Sequence, residues 1–291
     1  MVFFFTLIIY FFNIGDVLIY MSLNSCFFLK NMLQFLKFIH CILQKGDAGQ
    51  DLFCFAFWNM EFRKFFTLSY DDGVEQDKRL IELIKKYGLS CTFNINSGFF
   101  GRKNMLNRFG VDIRHDKIPE NEFAQVYDGF EIATHAVNHP DLRKLTDEEI
   151  IEEIVNDRKN LSALAGYDVV GHAYPGGVYD ERVADCLKNK CGIRYARTVD
   201  STGKFEIPDN LLMWHPTCHH SDEKVFDLID SFVNDKEDDI KLFYLWGHSY
   251  EFDCDVPGNS WEQIEKIFQR IAGKSDICYC TNSEFLYAVN L

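Results

Sequence analysis

Residues 1–59 contain no arginine, no glutamate and no proline, and their three lysines (Lys30, Lys37, Lys45) are matched by Asp16, Asp47 and Asp51. The whole chain holds 30 Lys+Arg against 44 Asp+Glu, a formal charge of −14. The entire negative balance therefore falls on residues 60–291, and this composition break marks a boundary between an N-terminal extension (1–59) and a second domain (60–291). That negative balance argues against nucleic acid or an anionic membrane as a partner of the folded part. A neutral sugar remains open.

Targeting features are also missing from the extension. Val2 to Phe12 is apolar, but no positive charge precedes it, no small-residue cleavage site follows, and it is too short to span a bilayer as a helix. Cys26 to Leu43 repeats Phe28, Met32, Leu36, Ile39 and Leu43 at helical spacing, with Lys30, Gln34 and Lys37 on another face, as an interfacial amphipathic helix would. The extension reads either as dispensable or as a genuine anchor. Membrane contact, or a membrane-associated or secreted location, follows only in the second case.

There is no Cys-x-x-Cys among the ten cysteines. Three of them (Cys26, Cys41, Cys54) sit in the extension, and the odd number remaining cannot all pair within one chain. Cys278 and Cys280 share one face of a strand, without bridge geometry. Buried thiols in a reducing, cytoplasmic compartment are the expectation for residues 60–291. No internal repeat appears.

What is present alternates strand and helix. Strands are predicted at Lys64–Ser69, Cys91–Ile95, Phe130–Thr134, Val169–Tyr174, Gly192–Arg197, Lys241–Trp246 and Ile277–Tyr279. Helices are predicted at Asp77–Tyr87 with Gly88 as stop, after the capping box Thr146-Asp147-Glu148-Glu149 until Gly166, at Glu181–Lys188, at Ser221–Val233, and after Ser260-x-x-Gln263. Ile150, Ile154, Leu161 and Leu164 form the buried stripe of the long second helix. Alternation of this kind predicts a parallel sheet, and a barrel fits the length as one domain. The polar residues Asp71, Asp72, His135, Tyr174 and His248 each fall at or just past the C-terminal end of a predicted strand, the edge where barrels carry their chemistry.

Four strings supply that chemistry: Thr67-Leu68-Ser69-Tyr70-Asp71-Asp72-Gly73, His135-x-x-x-His139-Pro140, Tyr174-Pro175-Gly176-Gly177 and Leu245-Trp246-Gly247-His248. Adjacent carboxylates repel, so one bound to a metal and one free to take a proton is a stable division of labour. Two histidines four apart can reach one ion, and Asp72 completes a His, His, carboxylate set with Asp71 left as base. His248 is left as an acid. Together these parts point to metal-assisted hydrolysis. A non-haem iron oxygenase shares the ligand set but leaves Asp71 and Leu-x-x-His without a role.

In this order the strings resemble the polysaccharide deacetylases (carbohydrate esterase family 4, the NodB-homology domain), over residues from about 60 to 291. The resemblance implies a distorted (β/α) barrel that removes acetyl groups from N-acetylated oligo- or polysaccharides. It assigns Asp71 as base on a metal-activated water, Asp72, His135 and His139 as ligands, and His248 as acid. Zinc suits the donors best, with cobalt, nickel, manganese or iron also accepted. The Tyr174-Pro175-Gly176 turn offers the Gly176 N–H to an oxyanion. One departure is Ala173, where many members have an arginine that steadies the base; Arg197 is expected to supply that charge from a neighbouring strand. Trp214 and Trp246 are candidates for a sugar-facing wall, against the alternative of core aromatics in a chain 15% aromatic. Glu251 either holds His248, contacts substrate, or is a surface residue. His219 and His220 are not expected to be primary ligands. Alternatives of other kinds are an O-acetyl esterase or small-amide hydrolase on the same scaffold, and a catalytically silent glycan-binding barrel.

Overall fold

The computed structural model describes residues 62–291 together with residues 10–14 and 17–21, and the chain divides into two units, Met1–Phe55 and Ala56–Leu291. In the first unit, strands β1 (Tyr10–Ile14) and β2 (Val17–Met21) pair antiparallel with Ile14 opposite Val17. Of the apolar run Val2–Phe12, residues 10–12 are strand and the rest lies outside the described residues. The amphipathic helix expected over Cys26–Leu43 lies outside the described residues. No helix among the described residues is long and apolar enough to cross a membrane.

The second unit is a mostly parallel, curled sheet with helices packed outside it. Its strands are β3 (Lys64–Asp71), β4 (Cys91–Ile95), β7 (Glu131–Thr134), β8 (Gly171–Ala173), β9 (Tyr195–Arg197), β10 (Cys218–His219), β11 (Lys241–Gly247) and β12 (Ile277–Tyr279), in the order β10-β11-β3-β4-β7-β8-β9. Along one edge of β3, β12 pairs with Lys64–Phe66 and β4 with Leu68–Asp71; β11 takes the whole other edge. Beyond β9, Trp214 bridges to Arg197, and a few residues later β10 pairs with β11. This passage draws the two ends of the sheet together into a distorted (β/α) barrel.

Strand alternation explains what the barrel holds. Phe66, Leu68 and Tyr70 of β3 point to the apolar core shared with the helices, while Thr67, Ser69 and Asp71 face inward. There they meet Asn282 (2.9 Å), Asn94 (2.8 Å) and again Asn94 (2.7 Å). The inner polar ladder thus rises toward the C-terminal edge and ends at the aspartate pair.

Helix α1 (Asp77–Tyr87) buries Leu80, Ile81 and Ile84, and ends where Gly88 takes φ 62°. Two further helices follow, α2 (Phe123–Val126) and α3 (Asp147–Ala165); Thr146 and Glu149 form a complete capping box at the start of α3. Then come α4 (Glu181–Asn189), α5 (Val225–Asn234), α6 (Trp261–Ile271) and α7 (Asn282–Ala288). Ile264, Ile267, Phe268 and Ile271 of α6 are fully buried, which stabilises its seat by roughly 6–12 kcal/mol as an upper bound. The helix expected from Ser221 begins at Val225, because Asp222 and Val225 first close turns onto His219 and Asp222. In this unit α2, α7, β10 and an antiparallel hairpin of β5 (Met105–Arg108) and β6 (Val111–Arg114) had no expectation. The seven described cysteines are all buried and form no disulfide.

Candidate active site

Asp71 ends β3 inside the barrel mouth. Its Oδ1 accepts from Asn94 Nδ2 (2.7 Å) and its Oδ2 from Arg197 (2.5 Å), and Arg197 itself is buried at the paired end of β9 with its guanidinium 4.5 Å from the centre of the Trp246 ring. Burial pushes the Asp71 carboxyl up, but Arg197, with His135 and His248 behind it, outweighs burial and holds it below the usual carboxylate value. Ala173 pairs with Arg197 across β8 and β9, so both side chains leave the sheet on the same face.

Asp72 turns the other way. Its φ of 86° places it in a conformation uncommon for residues other than glycine, and Ala136 (59°) and His139 (52°) share that region. These are three of the six such residues described, each strained by ~1–3 kcal/mol, and all three lie at one spot. The loop after β7 is held in this shape by buried groups. Asn96 Nδ2 donates to the carbonyls of His135 (2.5 Å) and Ala136 (2.8 Å), and Asp157 of α3 accepts from the backbone N–H of Ser97 (2.8 Å) and His135 (3.0 Å).

His135 Nδ1 lies 2.8 Å from the carbonyl oxygen of Ala173. A carbonyl only accepts, so Nδ1 carries the proton and Nε2 turns its lone pair toward the cleft. Burial lowers the pKa of His135 to about 4, which keeps the ring neutral as a ligand must be. Donor atoms of Asp72, His135 and His139 lie within 4.8 Å of one another. The carboxylate, the freed Nε2 and the strained loop fit a divalent cation. Two side chains of the protein also reach Asp72: Lys117 Nζ donates to its backbone oxygen (2.7 Å) and stands 3.2 Å from Oδ1, and His115 Nε2 stands 3.2 Å from Oδ2. Burial pushes the Asp72 carboxyl up, and Lys117 and His115 together hold it well below the usual range.

His248 follows β11. Its Nε2 is 3.9 Å from Asp71 Oδ2, and its Nδ1 is 3.5 Å from Glu251 Oε1. Burial lowers its pKa, but Glu251 outweighs burial and raises it. Glu251 is buried, with His219 at 3.2 Å and His220 at 3.4 Å. It is therefore not a surface residue, and it touches His248. His219, His248 and Glu251 form a second close cluster of donor atoms, apart from the candidate ligand set Asp72, His135 and His139. Gly247 is needed here for space, since a Cβ would collide with the His220 ring.

The cleft encloses about 610 Å³ and is lined by Asp71, Asp72, His135, His139 and His248, with Tyr174, Gly176 and Trp246 on one side. Gly176 is exposed, and no other backbone group takes its N–H. The Tyr174 hydroxyl is tied to the Leu212 carbonyl (2.7 Å), and Pro175 is buried beneath the turn. Trp214 corrects the expectation of a sugar-facing wall. It is 1% exposed and packs against Tyr195, Tyr244 and Phe285 in the core, absent from the cleft.

Sequence reasoning missed Asn94, Asp157, His115 and Lys117. Asp157 had a legible signal, because it interrupts the stripe Ile150, Ile154, Leu161 where an apolar residue belongs.

A family model for polysaccharide deacetylase matches residues 61–196. Residues 61–196 belong to the polysaccharide deacetylase family. That family hydrolyses amide or ester bonds of carbohydrates and generally uses a divalent metal, for which Asp72, His135 and His139 are the candidate ligands here. Among solved structures, a deacetylase-type protein of Mycobacterium smegmatis matches with a TM-score of 0.55 at 13% identity, covering 79% of this chain and 91% of that one, which shows a shared deacetylase fold. A family 4 carbohydrate esterase from Streptomyces lividans in complex with acetate matches with a TM-score of 0.48 at 17% identity, covering 77% and 95%. A polysaccharide deacetylase from Bacillus cereus matches with a TM-score of 0.42 at 21% identity, covering 50% of this chain and 44% of that chain. No curated protein matches.

Proposed function

We propose that the domain hydrolyses the acetamide of N-acetylated saccharides, releasing acetate and a free amine. The observation that carries this reading is the position of Asp71 Oδ2, 4.0 Å from His135 Nε2 and 3.9 Å from His248 Nε2. One carboxylate oxygen thus faces both the ligand set and the acid.

A divalent cation held by Asp72, His135 and His139, zinc best suiting the donors, would polarise the acetyl carbonyl and acidify the attacking water. Asp71 takes that water's proton at Oδ2, where one lone pair remains beside the Arg197 bond. The Gly176 N–H donates to the developing oxyanion. His248, its pKa raised by Glu251, then donates from Nε2 to the leaving nitrogen, and the C–N bond breaks to give acetate and amine. Trp246 and Tyr174 supply apolar surface to the sugar.

The test is acetate release from N-acetylglucosamine oligomers by the full chain, with chelation, zinc or cobalt readdition, and Asp71→Asn. Release should depend on metal and be lost in Asp71→Asn. Chelation should also lower the melting temperature, since an ion at 100 times its dissociation constant stabilises by about 2.7 kcal/mol. A folded, metal-loaded protein that deacetylates acetylated xylan but no N-acetyl sugar would refute the amide reading.

A further inference from the structure

The hairpin β5–β6 is longer than its two strands. His115 N–H donates to Asn104 O (2.8 Å), Lys117 N–H to Arg102 O (2.9 Å) and Gly101 N–H to Ile118 O (3.0 Å), so the ladder continues over residues 101–118. Ile118 N–H then donates to Gly73 O (3.0 Å), fastening the hairpin directly behind the aspartate pair. With period two, Arg102, Asn104, Leu106 and Arg108 face the cleft from one strand and His115 and Lys117 from the other.

The charges on the two faces are treated differently. On the far face, Lys103 and Arg114 are both ion-paired with Asp116. On the cleft face, Asp71 is matched by Arg197, and Asp72 by Lys117. That leaves Arg102 and Arg108 lining the cleft, exposed and without an ion-pair partner among the described residues. Each is nonetheless held in place. Arg102 lies 5.0 Å from the centre of the Phe99 ring, and Arg108 donates to the Tyr250 hydroxyl (3.3 Å). In a chain of net charge −14, two positioned, unmatched guanidinium groups at the mouth of the cleft call for an anion supplied from outside.

We propose that this wall binds an anionic substituent, a carboxylate or a phosphate, on the saccharide, so that the substrate class is an acidic N-acetylated saccharide. The substrate assignment rests on the deacetylase reading; the anion-binding wall does not.

The experiment compares kcat/KM of the metal-loaded full chain for acetate release from three probes: a neutral N-acetylglucosamine oligomer, an oligomer whose sugars carry a carboxylate, and one carrying 6-phosphates. The acidic probes should be preferred roughly tenfold, as two partly exposed charge pairs supply. The preference should fade in about 1 M salt, where screening acts within ~3 Å. Arg102→Gln/Arg108→Gln should lower the acidic-to-neutral ratio about tenfold through KM, while Arg102→Lys/Arg108→Lys keeps part of it. Which acidic probe leads identifies the anion. Equal kcat/KM for all three probes, or a ratio unchanged in the Gln variant, overturns the proposal. Calorimetric binding of the same probes to Asp71→Asn separates the two readings. Acidic probes bound through the arginines without acetate release from any probe would sustain the wall and refute the deacetylase. Acetate release with indifferent binding would do the reverse.

Discussion

Removing Arg197 tests how the base is held. The guanidinium is fully buried against the Asp71 carboxylate and over Trp246. In Arg197→Ala the carboxylate stays buried without its charge partner, a change that destabilises by about 3–5 kcal/mol. For a domain of this size each kcal/mol moves Tm by ~2–4 °C, so a loss of roughly 6–20 °C is expected. Burial, no longer opposed by Arg197, then pushes the Asp71 carboxyl up. The acid limb of the kcat/KM profile should move to higher pH, so activity falls at the acid end and partly recovers as pH rises. Because Ala173 projects from the same face beside Arg197, Ala173→Arg in the Arg197→Ala background should restore part of both losses. Differential scanning fluorimetry and a pH–rate profile measure the two effects. Unchanged melting and an unchanged acid limb would show that Arg197 does not position the base.

Glu251→Gln removes the group that raises the His248 pKa. The alkaline limb of the kcat profile should therefore shift to lower pH, and a limb that stays in place would separate Glu251 from the acid. Asp77 is buried and its pKa is raised to about 7 from 3.8, burial outweighing its bonds from Ser249, Tyr127 and Val74. Between those values the folded state binds a proton that the unfolded state does not, so this group's contribution to stability falls as pH rises. Asp77→Asn, whose neighbouring hydroxyls can turn to accept, should flatten the decline of urea midpoints from about pH 4 to pH 7; parallel curves for the two proteins would contradict this.

Much of the scaffold was legible because its signals are local. The Thr146–Glu149 box, the Gly88 stop and the apolar strand runs work within a few residues, and their elements appear near the expected bounds. The aspartate pair, His135 and His248 were legible because each falls at a strand end, and His139 because it stands four residues after His135. What escaped was long-range. Nothing near Asn94 indicates that its neighbour across the sheet is Asp71. The hairpin of residues 101–118 has short, mixed, mostly exposed strands that carry no burial period, so its cationic cleft face shows only after folding. Trp214 was misplaced for the converse reason. Its position follows from Tyr195, Tyr244 and Phe285, three segments far apart in sequence.

The divided edge of β3 governs how this site is assembled in time. The strand that delivers Asp71 borrows half of one border from β12, more than two hundred residues later, and Thr67 and Phe66 bond to Asn282 and Cys280 beside it. Contacts of that separation form late, because a long loop must close before they contribute. Residues 277–282 therefore act as a latch. Until they dock, the catalytic strand has an open flank, and a chain cleaved just before them loses the support of its base while every catalytic side chain is still covalently present.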